Sequence, residues 1–211
     1  FAQYEMFQRL NTGGSHLSPQ EIRNCLLVVK NEDVYRWFKT LSENEAFRNA
    51  VPISEKDADE QGYIELVVKY LVLRYSEFEV SDSENYNNFI TDEILSLIDD
   101  KKIEREKDED IFKRTFKLIF DTMGENAFKR YNPEKDTHCG PVLVGAYEAI
   151  VPGVSENIEY YEKNHEMLKK CIDDIYTSKE YNDATKRGVR PVARIKKLAI
   201  ASRKLLNGSE N

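Results

Sequence analysis

Tyr63-Ile64-Glu65-Leu66-Val67-Val68-Lys69-Tyr70-Leu71-Val72-Leu73-Arg74-Tyr75 decides the fold of this chain. Its β-branched residues suit a strand as well as a buried helix. Two properties separate these readings. The run is longer than a typical strand. Its apolar heart, Ile64, Val67, Val68, Leu71, Val72 and Tyr75, follows the i, i+3, i+4, i+7 spacing of a helix. Read as a helix, the stretch makes the chain mainly α.

Composition points the same way. Nine Gly and six Pro in 211 residues are few for an all-β chain with many turns. That length allows one large domain, or a small module beside a larger one. With 40% hydrophobic residues the chain can bury a core. A net charge of −7 argues against nucleic acid binding over the whole surface, but it permits a local basic patch. No apolar run approaches the roughly 20 residues that span a bilayer, so no membrane partner is expected. No secretory signal is expected. Cys25, Cys139 and Cys171 are odd in number and far apart, so a reducing cytoplasm is expected rather than a disulfide framework. No Cys or His pair has zinc-ligand spacing, and no metal centre is expected. The first residue is Phe, not Met, and we read the chain as a piece of a longer protein.

Outward from the central run, helical patterns recur. One covers Pro19 to Lys30, a second Asp33 to Leu41, and a third resumes at Phe89 to Ile98. Ile111 to Met123 is amphipathic, with Gly124 as its C-terminal cap. Pro141 to Ile150 reads as a short buried helix that Pro152-Gly153 breaks. Ser155 to Ser178 then forms a longer helix, with His165 on its apolar stripe as a core histidine. Val192 to Leu206 is a basic amphipathic helix. Asn49 to Ser54 and Phe128 to Gly140 read as loops, and Ser81 to Asn88 as a polar connector. The mixed charges of Asp99 to Asp110 read as a solvated helical face or linker. Asp173 and Asp174 read as another solvated face. The expected fold is a multi-helix bundle with few strands.

One segment carries more than fold. Arg9-Leu10-Asn11-Thr12-Gly13-Gly14 runs through Ser15, His16 and Leu17 into Ser18-Pro19-Gln20-Glu21-Ile22-Arg23-Asn24. Ser18 and Glu21 have capping-box spacing, and Pro19 suits the first helical position. The glycines allow close backbone approach to a ligand. A glycine turn before a helix N-terminus can bind an anion, and Arg9 can add a bidentate grip on phosphate. On composition alone, a hydrogen-bonded turn leading into a helix is the simpler reading. The segment is neither a Walker loop nor a dinucleotide fingerprint.

A second candidate is the basic cluster Lys186, Arg187, Arg190, Arg194, Lys196, Lys197, Arg203 and Lys204. It can neutralise DNA phosphates, or it can balance acidic neighbours on a solvated face. The sequence leaves both open.

From Phe7 to Asn24 the pattern Phe-x-Arg-Leu-Asn-Thr-Gly-Gly-x-x-Leu-Ser-x-x-Glu-Ile-Arg-Asn resembles the signature of the GmrSD-type restriction and phage-defence family. That resemblance implies a ParB/sulfiredoxin-like N-terminal module followed by a helical region. It also implies nucleotide hydrolysis that controls DNA cleavage by an HNH-type nuclease domain or subunit. The family's Asp-Gly-Gln-Gln-Arg motif is absent from this sequence, as is an HNH motif. The expectation is therefore a remnant of the ParB-like module over residues 1–24, followed by an α-helical domain over 25–211. By resemblance Arg9, Asn11, Thr12, Gly13 and Gly14 face nucleotide or phosphate. Ser18, Glu21, Arg23 and Asn24 are expected to support that turn, and, from the basic cluster rather than the resemblance, Lys186, Arg187, Arg190 and Arg194 are the expected DNA contacts. No cofactor is expected in this piece, and a nucleoside triphosphate with Mg²⁺ is expected in the full-length protein. The isolated chain is expected to be catalytically inert. The competing expectation is a helical interaction or oligomerisation module without nucleotide chemistry.

Overall fold

The computed structural model describes residues 17–208. Within them Ser18 opens the first helix, α1 (Pro19–Lys30), through a complete capping box. The Glu21 N–H donates to Ser18 Oγ at 3.3 Å, and the Ser18 N–H donates to Glu21 Oε2 at 2.7 Å. Asn31 ends α1 and caps α2 (Glu32–Ser42). Next come α3 (Glu45–Ala50), α4 (Glu55–Asp59), α5 (Gly62–Tyr75), α6 (Tyr86–Asp99) and α7 (Arg105–Met123). A hairpin of β1 (Lys129–Asn132) and β2 (Thr137–Val142) interrupts the helices. The chain closes with α8 (Val144–Glu156), α9 (Ile158–Tyr161), α10 (His165–Thr177), α11 (Lys179–Thr185) and α12 (Pro191–Leu205). The fold is mainly helical, with one small antiparallel sheet among the described residues. No described helix is long and apolar enough to cross a membrane.

The run that decides the fold is a helix at the centre of the molecule. Every residue of α5 from Leu66 to Leu73 is buried, including Lys69. A helix covered on all sides has no polar stripe, and this is why its sequence resembles a buried strand. Around it Phe47, Phe112 and Phe116 pack with ring centroids 4.5–5.0 Å apart, and Tyr70 stands edge-on to Phe112 at 5.0 Å. Each such ring contributes about 1.5–3 kcal/mol by leaving water.

Several sequence expectations are corrected. Asn49 and Ala50, read as the start of a loop, instead close α3, which Asn44 caps. Phe128 to Gly140 is not a loop. Arg130 pairs with Cys139, Tyr131 with His138 and Asn132 with Thr137. The register slips between Lys129 and Arg130, opposite Gly140, which takes φ 88°, and Pro141, which has no N–H to lose from the ladder. Pro152-Gly153 does not break α8; Pro152 lies within it. The Gly153 N–H instead donates to Ser202 Oγ of α12 at 2.8 Å, so a partner from a distant helix repairs the ladder. The single helix expected over Ser155–Ser178 is divided among the end of α8, α9 and α10. His165 is exposed at the start of α10 rather than in the core. Asp108, in the charge run read as solvated, is fully buried.

The pair α8 and α12 makes the most extensive helix contact. They cross at Gly153, where an added Cβ would lie 2.4 Å from Leu206 Cβ and 2.7 Å from the Ser202 carbonyl oxygen. Asn157 Nδ2 donates to the carbonyls of Gly153 at 3.0 Å and Leu206 at 2.7 Å, closing both helix ends with one side chain.

Candidate functional site

Five charged side chains of alternating sign and one tyrosine form a string through the interior. It begins on α1 at Arg23, which is completely buried. Arg23 forms an ion pair with Glu65 of α5. Its Nε donates to Thr91 Oγ1 at 3.0 Å and its Nη2 to the Asn87 carbonyl at 3.3 Å, both on α6. Beside it Asn24 Nδ2 donates to Gln61 Oε1 at 2.6 Å. Glu65 also stands 3.6 Å from Lys69 Nζ, one turn along α5. The Lys69 ammonium lies 5.6 Å from the centre of the Tyr86 ring. The Tyr86 hydroxyl donates to Glu148 Oε1 at 3.1 Å. Glu148, whose side chain is 0% exposed on the otherwise apolar α8, is clamped by Arg194 of α12. Arg194 Nε donates to Glu148 Oε2 at 2.8 Å and Nη2 to Oε1 at 3.0 Å.

The electrostatics follow from burial and from this order of charges. Burial pushes the Tyr86 hydroxyl well above its ordinary pKa, and Glu148 and Glu65 push the same way. Tyr86 therefore stays a neutral donor. Burial alone would lower the Arg194 pKa, but the Glu148 carboxylate outweighs it and holds Arg194 charged. Both ends of Glu148 are thus satisfied, as a buried carboxylate requires.

The string joins two clefts that share Val144. Glu65 and Lys69 reach the first, a cavity of about 290 Å³ between α1, α5 and the end of β2. Arg194 reaches the second, of about 680 Å³. The walls of the second come from β1 (Arg130, Tyr131), the start of α8, α10 (Tyr176), α11 (Tyr181, Asn182, Thr185) and α12. A separate pair lies below the hairpin, where His138 Nε2 is 2.8 Å from Asp173 Oδ1 and His138 Nδ1 is 3.2 Å from the Lys129 carbonyl oxygen.

The residues chosen from sequence have different fates. Arg9, Asn11, Thr12, Gly13 and Gly14 lie outside the described residues. Ser18 and Glu21 form the cap of α1. Arg23 and Asn24 hold that helix on α5 and α6. Lys186 is paired with Asp183 at 2.5 Å. Arg194 is bound to Glu148, while Arg187 and Arg190 are exposed and their side chains have no hydrogen bond or ion pair among the described residues. Sequence reasoning missed Glu65, Lys69, Tyr86 and Glu148. Lys69 and Glu148 carried the one available signal, a charge inside an otherwise apolar helical run. Comparison with protein-family models, with curated proteins and with solved structures returns no match.

Proposed function

We propose that this chain is the helical part of a prokaryotic defence protein of the GmrSD type, and that it contacts DNA through Arg187 and Arg190, flanked by Lys186 and Arg194. The resemblance over Phe7 to Asn24 supplies the protein class. In this reading the turn Arg9, Asn11, Thr12, Gly13 and Gly14 faces the nucleotide of the full-length protein. An HNH-type nuclease domain or subunit is the partner.

One observation carries the DNA contact. In an acidic chain, Arg187 and Arg190 stand on an exposed turn without a carboxylate partner. A guanidinium with no internal partner is free to neutralise a phosphate. Lys186 shares its charge with Asp183 and Arg194 spends two donors on Glu148, so the other two arginines carry most of the attraction. The string from Arg23 to Arg194 gives a physical connection between the signature helix and this edge.

The test is the salt dependence of duplex DNA binding by this chain and by its R187E/R190E variant. Two lost phosphate contacts should reduce the slope of log K against log salt by about 2. An unchanged slope rejects the contact.

A second reading, a helical docking module, is favoured by the outer face of α1, where Val29 is 71% exposed beside the partly exposed Val28. Under that reading Val29→Asp abolishes association with the partner, whereas R187E/R190E leaves it intact.

A further inference from the structure

The 680 Å³ cavity under the hairpin has a lining of unusual chemistry for this chain. Its lining contains two arginines and no carboxylate, in a protein of net charge −7. Three donors face it from three different elements. The Arg130 side chain of β1 has no hydrogen bond or ion pair among the described residues. Arg194 of α12 directs Nε and Nη2 at Glu148 and also lines the cavity. Tyr181 of α11 is only 7% exposed, yet its hydroxyl has no hydrogen-bond partner among the described residues and is not sealed inside the protein. Burial, reinforced by Glu148, pushes the Tyr181 pKa up to about 12, so this hydroxyl remains a donor at neutral pH.

The rest of the lining is aromatic and apolar. Tyr176 meets Tyr181 edge-on at 5.3 Å between ring centres, and Tyr131 lies 6.4 Å from Tyr176. Leu143 and Val144 complete the apolar side. A further ring extends such a wall at ordinary edge or offset spacing. A phosphomonoester offers three oxygens to three donors, where a carboxylate offers two.

We propose that this cavity binds a small phosphomonoester that carries an aromatic ring, with the phosphate on Arg130, Arg194 and Tyr181 and the ring on the tyrosine wall. The volume falls within the range of small-molecule sites. The proposal concerns a free small molecule and stands independently of the DNA contact at Arg187 and Arg190.

Calorimetric titration of the chain with 1-naphthyl phosphate, inorganic phosphate and 1-naphthol tests it. The expected order is 1-naphthyl phosphate tightest, inorganic phosphate weaker but competing for the same site, and 1-naphthol weakest. Arg130→Ala, at an exposed position, should weaken 1-naphthyl phosphate at least tenfold, and Tyr181→Phe at least threefold. Circular dichroism of both variants should match the parent, and R187E/R190E should bind 1-naphthyl phosphate as the parent does. The proposal is overturned by the absence of 1-naphthyl phosphate binding at millimolar concentration, by 1-naphthol binding as tightly as its phosphate ester, or by unchanged affinity in Arg130→Ala.

Discussion

The helices α1 and α12 are fastened to the body by different balances of close packing and polar bonds. α12 buries Val192, Ile195, Leu198 and Ala199 and approaches α8 most closely at Gly153, and the Arg194–Glu148 pair and the Gly153 N–H bond to Ser202 Oγ add polar ties to that crossing. α1 places Leu27 in the main core, while Ile22 and Leu26 form a small apolar cluster apart from it. The rest of its attachment is polar: Arg23 to Glu65, Thr91 and Asn87, and Asn24 to Gln61. Close apolar packing fixes a helix by volume and responds little to salt or pH. Polar anchoring fixes orientation through a few directed bonds, each of which is either made or lost. α1 is therefore the helix that depends most on specific bonds, whereas α12 adds its bonds to a close backbone crossing.

The largest effect expected from breaking this contrast is at the crossing. Gly153→Ala places a methyl group against the Leu206 Cβ and the Ser202 carbonyl, and the latter is backbone that cannot rotate away. Overpacking of this kind should cost about 3 kcal/mol, read as a lower midpoint in urea unfolding. A loss below about 1 kcal/mol would mean that α8 and α12 slide apart at little cost, and the contrast would fail.

At the other end Arg23→Ala removes a buried guanidinium and leaves Glu65 with Lys69 as its nearest cation. The expected loss is about 2–3 kcal/mol, less than for a carboxylate left with no partner at all. Arg23→Lys keeps the charge but cannot bond Glu65, Thr91 and Asn87 together, so it should recover only part of the loss. Full recovery in the lysine variant would show that charge alone, not the forked geometry, seats α1. Because the two anchors share no partner, the losses from Gly153→Ala and Arg23→Ala should add.

A smaller effect sharpens the same end. Ser18→Ala removes the side-chain acceptor for the Glu21 N–H and should cost about 1 kcal/mol. Glu21→Gln keeps the reciprocal bond to the Ser18 N–H and should cost less.

The same contrast explains what was legible in the sequence. Local rules worked where the stabilising partner is local. Ser18, Pro19 and Glu21 announce the start of α1, Gly124 ends α7 at φ 58°, and Pro191 opens α12. The central helix was legible from period and length despite its β-branched residues. Where the partner is distant, the rules failed. Pro152 reads as a breaker because Ser202, which takes up the Gly153 N–H, is 49 positions away. Glu148 disappears into an apolar run because Arg194 is 46 positions away. The hairpin strands, Lys-Arg-Tyr-Asn and Thr-His-Cys-Gly-Pro-Val, carry no clean alternation and a bulge. Arg194 was chosen from sequence as a DNA contact within a cluster that could also balance acidic neighbours, and only the fold shows its charge committed to the buried Glu148.

Asp108 offers the finest test, since it is a third polar anchor and was read from sequence as solvated. Its carboxylate accepts from Arg74 Nε at 3.0 Å, from the Tyr75 hydroxyl at 2.8 Å and from the Glu104 N–H at 2.9 Å, tying the start of α7 to the end of α5. Burial raises its pKa above the ordinary carboxylate value, and the bonds from Tyr75 and Arg74 offset only part of that rise. Between the two pKa values the native state holds the proton more tightly than the unfolded chain does. In that window, just above pH 3.8, this group's contribution to stability rises as pH falls. It is constant below the unfolded value and constant again above the native one. Other carboxylates titrate in the same range, so the quantity to measure is the difference between the parent and Asp108→Asn at each pH. That difference should move in favour of the parent as the pH is lowered through the window and stay level at neutral pH. A difference that moves the opposite way would mean that Arg74 and Tyr75 outweigh burial, making Asp108 an ordinary stabilising ion pair. The α8–α12 crossing, probed by Gly153→Ala in the same titration, should show no such window.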